Sequence, residues 1–443
     1  MMDNLVVQPP AATLNAGVTR TDITAPVGIY SRMWGAAKHD VAEGVHRPLT
    51  ATVLALEPEA GDRMILVSMD WVVTPDLEVM QRLRAPLVAH CGGDEARVII
   101  AHTHTHGIGF ITPTRRDLPG GHLIEPYIDR VCNRLADAAD TAVAQAADSP
   151  STLTCGTGRC DLAVNRDLPD PMGSERYLTG YNPTAAADDT LLVARITRNR
   201  DDQPLATIVN YACHPTTLAW DNRLLSPDYI GAMRQLVEGH NPGLCLFLQG
   251  ASGELSPAHQ YSGDTALADQ HGRRLGHAVL SVLEGMLPPR QALAYSKTVE
   301  SGAPLAVWRP QSFAPSTACG AILSPVDLPL RQLPSTDELT AELERATERH
   351  SEERARRKLR QVDQIRAVGQ DGVCGQEITA WRTGSALFVA TPSEPYSSFQ
   401  MDLRNSFPDA AVFVVTAANS GVSGYLVPAD LYDRDLYQAW QSP

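Results

Sequence analysis

The chain has 443 residues, 43% of them hydrophobic, enough for one large core or two ordinary ones and too apolar for large-scale disorder. With 51 acids against 37 bases the net charge is −14, and no Lys/Arg run or basic domain is visible, so neither nucleic acid nor an anionic membrane is expected as the main partner. The opening "MMDNLVVQPPAATLN" lacks a signal-peptide pattern, and no later window reaches the roughly 18 apolar residues that span a bilayer, so the expected location is cytoplasmic without stable membrane insertion.

In chain order, strands are predicted at 51–57 and 63–70, a helix at 76–91, a strand at 97–103 and a helix at 125–146. Strands follow at 191–197 and 205–212, a helix at 228–240, a strand at 244–250, a helix at 267–286, and strands at 385–392 and 410–419. The strands are nearly continuous apolar runs, as in sheets covered on both faces, and the helices carry apolar residues at three- and four-residue spacing. The fold class is therefore α/β, with mixed β-sheets flanked by helices, in a single domain over 1–443.

One segment stands apart. Residues 335–369 begin with a capping box, Ser335 and Glu338, and end at Gly369, which predicts one long helix. Its apolar stripe thins to charges before Leu359 and Val362, so its middle is expected to be exposed. The eight cysteines are scattered; only Cys155 and Cys160 lie close, without the second pair of a zinc ribbon, and most are expected to be reduced core residues.

The stretch "ARVIIAHTHTHGIGF" (96–110) carries the first chemical signal. In an extended chain His102, His104 and His106 would share one face, about 7 Å from one to the next, which suits either a metal site or a wet strand end. Other polar residues fall just past predicted strands, where ligands collect in α/β sheets: His214 after 205–212, Ser252, Glu254 and Ser256 after 244–250, Glu394 after 385–392, and Tyr425 at the end of "AANSGVSGYLVP". Two imidazoles, a carboxylate and a phenol form a set suited to zinc.

The order of these motifs resembles the neutral ceramidases, zinc-dependent amide hydrolases. The resemblance rests on "GVTRTDITAPVG" (17–28), "MWGAA" (33–37), "GVHRPLTATVLALE" (44–57), Thr103-His104-Thr105-His106, Asn165-Arg166, "GELSP" with Ser256, "TPSEP" with Glu394, "SGYLVP" with Tyr425, and the spacing Tyr425, Tyr432, Tyr437. It implies a neutral-ceramidase-like catalytic domain and a Zn2+ held by His104, His214, Glu394 and Tyr425. It also implies active-site roles for His106, Arg166, Ser256 and Tyr437, while His102 has no counterpart. The chain departs from the pattern at Asp167, at Glu254 and in the longer "LPDPMGSERYLTGYNP", and stops short of the ceramidases' immunoglobulin-like domain.

The function expected from this is hydrolysis of an amide (N-acyl) bond of a small soluble substrate by zinc-activated water. Arg166 and Tyr437 are candidates to hold the oxyanion or an anionic substrate group, His106 the proton shuttle, and Ser256 a nucleophile or an orienting group. The alternatives are a true ceramidase acting on N-acylsphingosine, a lactone or ester hydrolase, and a catalytically idle metal-binding protein. An amidohydrolase barrel places its His-x-His on the first strand, unlike here, and Gly107 and Ile108 break the metallo-β-lactamase pattern. A small-molecule substrate is the expected partner, with homo-oligomerisation left open.

Overall fold

The computed structural model describes residues 5–74, 76–370, 372–419 and 424–442. Its main sheet is built from β1 (Ala11–Asp22), β2 (Thr50–Glu57), β3 (Met64–Met69), β4 (Val98–His102), β5 (Pro150–Arg159), β6 (Thr190–Arg198), β7 (Pro204–Tyr211) and β8 (Leu244–Gln249). The strand order is β8-β7-β6-β5-β1-β2-β3-β4. Pairing is antiparallel through the centre and parallel at each edge, between β3 and β4 and between β7 and β8.

Helices α1 (Leu77–His90), α2 (Ile124–Ala146), α3 (Tyr229–His240) and α4 (Thr265–Gly285) cover one face of this sheet. Each parallel edge is thus a strand-helix-strand unit, α1 joining β3 to β4 and α3 joining β7 to β8. At Gly17 strand β1 runs so close to α2 that a Cβ would meet the Ala142 carbonyl oxygen at 2.0 Å. Within this layer Arg234 of α3 forms a bidentate, buried pair with Asp70 at the end of β3, at 2.9 and 2.6 Å. The Asp70 carboxylate also accepts from the Thr103 hydroxyl and the Thr50 amide.

A hairpin of β9 (Gln291–Glu300) and β10 (Pro304–Ser312) leads to β11 (Cys319–Pro329), β12 (Val373–Thr383), β13 (Ala386–Ala390) and β14 (Ala411–Val415). The last four form a second sheet in that order, with β13 and β14 parallel. Trp381, Phe388 and Phe413 of this sheet pack on Leu54, Leu66, Ile99 and Leu246 of the main one, so most core strands are buried on both faces, as their apolar runs predict. All eight predicted strands form. The runs at 97–103 and 410–419 end early, because the backbone turns into positive φ at His104 (65°), Ala417 (51°) and Asn419 (60°).

Strands β11 and β12 pair out to Pro329 and Val373, so everything between them is an excursion from the tip of one hairpin. It holds the segment predicted as a single helix with an exposed middle; the single helix is corrected, and the exposure holds for one face only. There are two helices, α5 (Thr336–Arg345) and α6 (Arg349–Val368), with extended backbone at Ala346 between them. The capping box at Ser335 and Glu338 forms as predicted. The helices fold back on each other, and Arg366 donates to Thr336 Oγ1 and the Pro334 carbonyl. The charged middle is exposed on one face only: Glu348, His350 and Arg354 are exposed, whereas Glu353 and Ala355 are buried, and α6 lies over the residues past the strand ends. Helix α7 (Ser397–Ser406) then joins β13 to β14, and α8 (Tyr437–Gln441) ends the described chain. All eight cysteines are free and six are buried.

Candidate metal centre and active site

The polar residues predicted past strand ends converge at the carboxyl ends of the parallel strands. His102 still belongs to β4 and does not join them. Its Nε2 bonds the Thr74 hydroxyl, its Nδ1 the Ala417 carbonyl, and burial lowers its pKa to about 4, so it is a neutral structural residue. The one-face arrangement expected of the three histidines does not occur, because the chain leaves the strand at Thr103. The left-handed backbone of His104, held by its amide bond to the Trp71 carbonyl, brings its ring to 5.2 Å from that of His106 and 4.9 Å from that of His214.

His214 follows β7, and Glu394 follows β13. Glu394 and Tyr425 are register partners in a two-residue parallel bridge, which sets the carboxylate beside the phenol. A Cβ at Gly253, past β8, would meet Tyr396 Cδ1 at 2.8 Å and the carbonyl oxygens of Pro395 and Glu394 at 3.1 and 3.2 Å, so the missing side chain lets this loop pack closely on the Glu394 segment. The rest of the "AANSGVSGYLVP" junction, 420–423, lies outside the described residues.

The donor chemistry fits a cation. His104 Nδ1 faces the Val72 carbonyl at 2.7 Å and His214 Nδ1 the Ser252 carbonyl at 2.7 Å. A carbonyl only accepts, so each Nδ1 carries the proton and each Nε2 presents a lone pair. Both Nε2 atoms lie 3.2 Å from the same Glu394 Oε2, and His214 Nε2 lies 3.2 Å from the Tyr425 hydroxyl. Three acceptors facing one another repel unless a positive ion lies among them. Burial, then the nearby Arg166 charge, pushes His214 down to about 3, keeping it neutral as a ligand must be. Among the described residues, His104, His106 and His214 are the cluster whose ligand atoms all lie within 4.8 Å of one another.

His106 differs from the other two, because both its ring nitrogens are enclosed and unpartnered. Burial and the flanking histidines hold its pKa well below the usual value. Arg166 is buried and donates to the Gly253 carbonyl through Nε and Nη2, at 3.1 and 2.6 Å, and to the Tyr425 hydroxyl at 3.2 Å. Tyr437 opens α8 with its ring 5.8 Å from that of Tyr425. Ser256 is fully buried, accepts from Gln260 Nε2 at 2.8 Å, and lines neither cavity described below. Asp167, where the chain departs from the family pattern, accepts from the Tyr396 hydroxyl and the Gln438 amide beside this group.

Two cavities meet at these residues, sharing Met33, His106, Arg357, Tyr425, Tyr437 and Gln441. The larger, about 560 Å³, is walled by Trp34, Trp220, Tyr261 and Trp440. The smaller, about 80 Å³, reaches His104 and Glu394 and is roofed by Arg357, Arg360, Gln361 and Gln364 of α6. Sequence reasoning missed this roof, and also the aromatic wall, of which only Trp34 lies in a quoted motif.

The roof is held down by a buried ionic cluster. Glu353 Oε1 accepts from Arg115 at 2.8 Å and Arg357 at 2.9 Å, and Arg32 lies 3.7 Å from the other oxygen. Burial raises the Glu353 pKa, but Arg115 and Arg357 more than offset this and hold it below the ordinary glutamate value. A depressed carboxylate contributes stability that is present above its unfolded value, about 4.3, and lost as pH falls through the lower folded value. The docking of α6 is therefore expected to persist down to about pH 4 and to fail below it. Hydrogen exchange of α6 checks this: Glu353→Gln at pH 7 is expected to exchange like the wild type below pH 4, and unchanged protection in that variant would contradict it.

The family profile described as "Neutral/alkaline non-lysosomal ceramidase, N-terminal" matches residues 14–255, just over half of the chain. Two solved structures are similar in fold. One is the neutral ceramidase from Pseudomonas aeruginosa, at TM-score 0.67 and 17% identity, covering 98% of this chain and 71% of that one. The other is a ceramidase complexed with C2, at TM-score 0.65 and 16% identity, covering 98% and 72%. Among the described residues no helix is long and apolar enough to cross a membrane. With the profile spanning His104, Arg166 and His214, the chain belongs to the neutral/alkaline non-lysosomal ceramidase family, whose members are metal-dependent hydrolases of amide bonds.

Proposed function

We propose that the protein is a zinc-dependent hydrolase that cleaves the amide bond of a small soluble N-acyl substrate. The observation that carries this is the meeting of His104 Nε2, His214 Nε2, Glu394 Oε2 and the Tyr425 hydroxyl beside Arg166, at the junction of two cavities. These four side chains would hold the ion. When bound, zinc polarises the carbonyl and lowers the pKa of water towards neutrality.

The chain's own residues do the rest. Arg166 is fixed by the Gly253 carbonyl and presents an immobile positive charge next to Tyr425, suited to an oxyanion. Tyr437 borders both cavities and supplies a neutral donor. Neutral His106, with both nitrogens unpartnered, takes a proton from water and returns it to the leaving amine. Among the described residues Ser256 has no base as a hydrogen-bond partner, so its role is to position Gln260 rather than to attack.

A second reading, hydrolysis of N-acylsphingosine, is favoured by family membership and by the aromatic wall of the larger cavity, which suits an acyl chain. The test is metal analysis of the purified protein with a hydrolysis screen over soluble N-acyl amides and ceramide in detergent. About one zinc per chain is expected, with the best soluble amide turned over at least about a hundredfold better than ceramide, some 2.7 kcal/mol in transition-state binding. Tyr437→Phe is expected to keep the zinc and lose about 10² in kcat. A zinc-loaded protein that cleaves no amide would sink the hydrolase reading, and ceramide turned over as fast as the best soluble amide would establish the second one.

A further inference from the structure

The small cavity carries chemistry that the hydrolytic residues do not use. Arg360 of α6 points its guanidinium at Phe110, 4.4 Å from the ring centroid, and its Nε is enclosed without a partner. Among the described residues it forms no hydrogen bond or ion pair. The acids whose charge reaches it are Asp76 and Glu353, and neither pairs with it. Glu353 Oε1 accepts from Arg115 and Arg357, while Glu353 Oε2 and Asp76 Oδ2 are enclosed without a hydrogen-bond partner, so both acids lie near Arg360 without bonding it. The guanidiniums of Arg115 and Arg357 also lie over Phe110, at 5.4 and 5.1 Å, so like charges crowd Arg360 rather than neutralise it. Burial and these arginines lower its pKa to about 9, which leaves it charged at neutral pH. A half-buried guanidinium that bonds no acid presents unused donors to the cavity, and a carboxylate that accepts from it there gains a charge-assisted hydrogen bond.

We propose that this cavity is an anion subsite, in which Arg360, backed by Arg357 and flanked by Gln361 and Gln364, binds a carboxylate of the substrate. The inference rests on the amide-hydrolase reading for the reaction and adds the substrate's class: an amide with a carboxylate on one side of the scissile bond and an apolar group on the other. The cavity opens on His104 and Glu394, so the anion lies within a few atoms of the reacting carbonyl, and the apolar group occupies the aromatic cavity. Water adds across the C–N bond, giving a carboxylate and an amine. The substrate's own carboxylate takes no part in the bond changes.

The test uses zinc-loaded protein and three amides: N-hexanoylglycine, its neutral counterpart N-hexanoylglycinamide, and N-hexylsuccinamic acid. The first acid carries its charge on the amine side and the second on the acyl side, so they distinguish the two sources of the carboxylate. One of them is expected to exceed the neutral amide at least about tenfold in kcat/KM, and Arg360→Gln is expected to bring that ratio near one, with partial return in Arg360→Lys. Calorimetry with the uncleavable hexanesulfonylglycine gives a readout independent of turnover, and its Kd is expected to weaken at least about tenfold in Arg360→Gln. If no amide is cleaved but this Arg360-dependent binding is found, the hydrolase reading fails and the subsite stands. Equal turnover of acids and neutral amide by the wild type, or unchanged binding in Arg360→Gln, overturns the subsite. Should Arg360→Gln fail to fold, the wild-type preference and Arg360→Lys decide.

Discussion

Replacing His214 by alanine is expected to bring zinc well below one per chain and to lower amide hydrolysis by more than about 10²-fold, the loss that removing even an outer partner of a metal ligand causes. The reason is geometric. His214 Nε2 contacts both Glu394 and Tyr425, and Arg166 Nη2 lies 3.5 Å away, so among the described residues the nearest imidazoles left to replace it are His104 and His106. His106 cannot replace it without abandoning its place against Trp34, 5.4 Å between ring centroids. Metal analysis of the purified variant is the decisive measurement, because it does not depend on the substrate. Full zinc at wild-type activity would mean that the four ligands are misassigned.

The second large effect is on the fold. Asp70 and Arg234 are almost fully buried, and each satisfies the other through two hydrogen bonds. Removing one partner strands a buried charge, so Arg234→Met is expected to destabilise the protein by about 3–5 kcal/mol in chemical denaturation. Asp70 also holds Thr103, the residue before His104, so loss of the pair is expected to weaken zinc binding as well. The double variant Asp70→Asn with Arg234→Met is expected to cost less than the sum of the single changes, since no charge is then left unpaired. Additive losses would show that the pair is not the coupled unit its geometry describes.

Much of this was legible in the amino-acid sequence because both-faces-buried strands leave a strong signal. Runs such as "LCLFLQG" and "SALFVATP" mark the strands, and polar residues just past such runs, His214 and Glu394 among them, are the ones that meet in the structure. His102 shows the limit of alternation as a guide. Its spacing matched that of His104 and His106, but a positive φ at one residue decides which imidazoles meet. The excursion at 335–369 fails for a different reason. A run such as "SEERARRKLRQ" has the charge density of a solvated helix, and nothing local says that Glu353 will meet Arg115 and Arg32, which lie more than 200 residues away in sequence. The break at Ala346 is likewise fixed by α5 and α6 folding against each other, not by a local helix breaker.

That excursion leaves and re-enters the sheet between Pro329 and Val373, two residues already held side by side by their strands. Its length is therefore nearly free of consequence for the rest of the fold, since doubling a closed loop adds only about 0.6 kcal/mol of closure entropy. The proposed zinc ligands and Arg166 sit on other elements, anchored by the two sheets, whereas the α6 groups that roof the small cavity ride on this one excursion. On the proposed reading, reactivity and the anion-binding part of selectivity are thus written on separate pieces of chain. A lineage, or a designer, can rewrite the roof to admit a different substrate while the machinery beneath it is inherited intact.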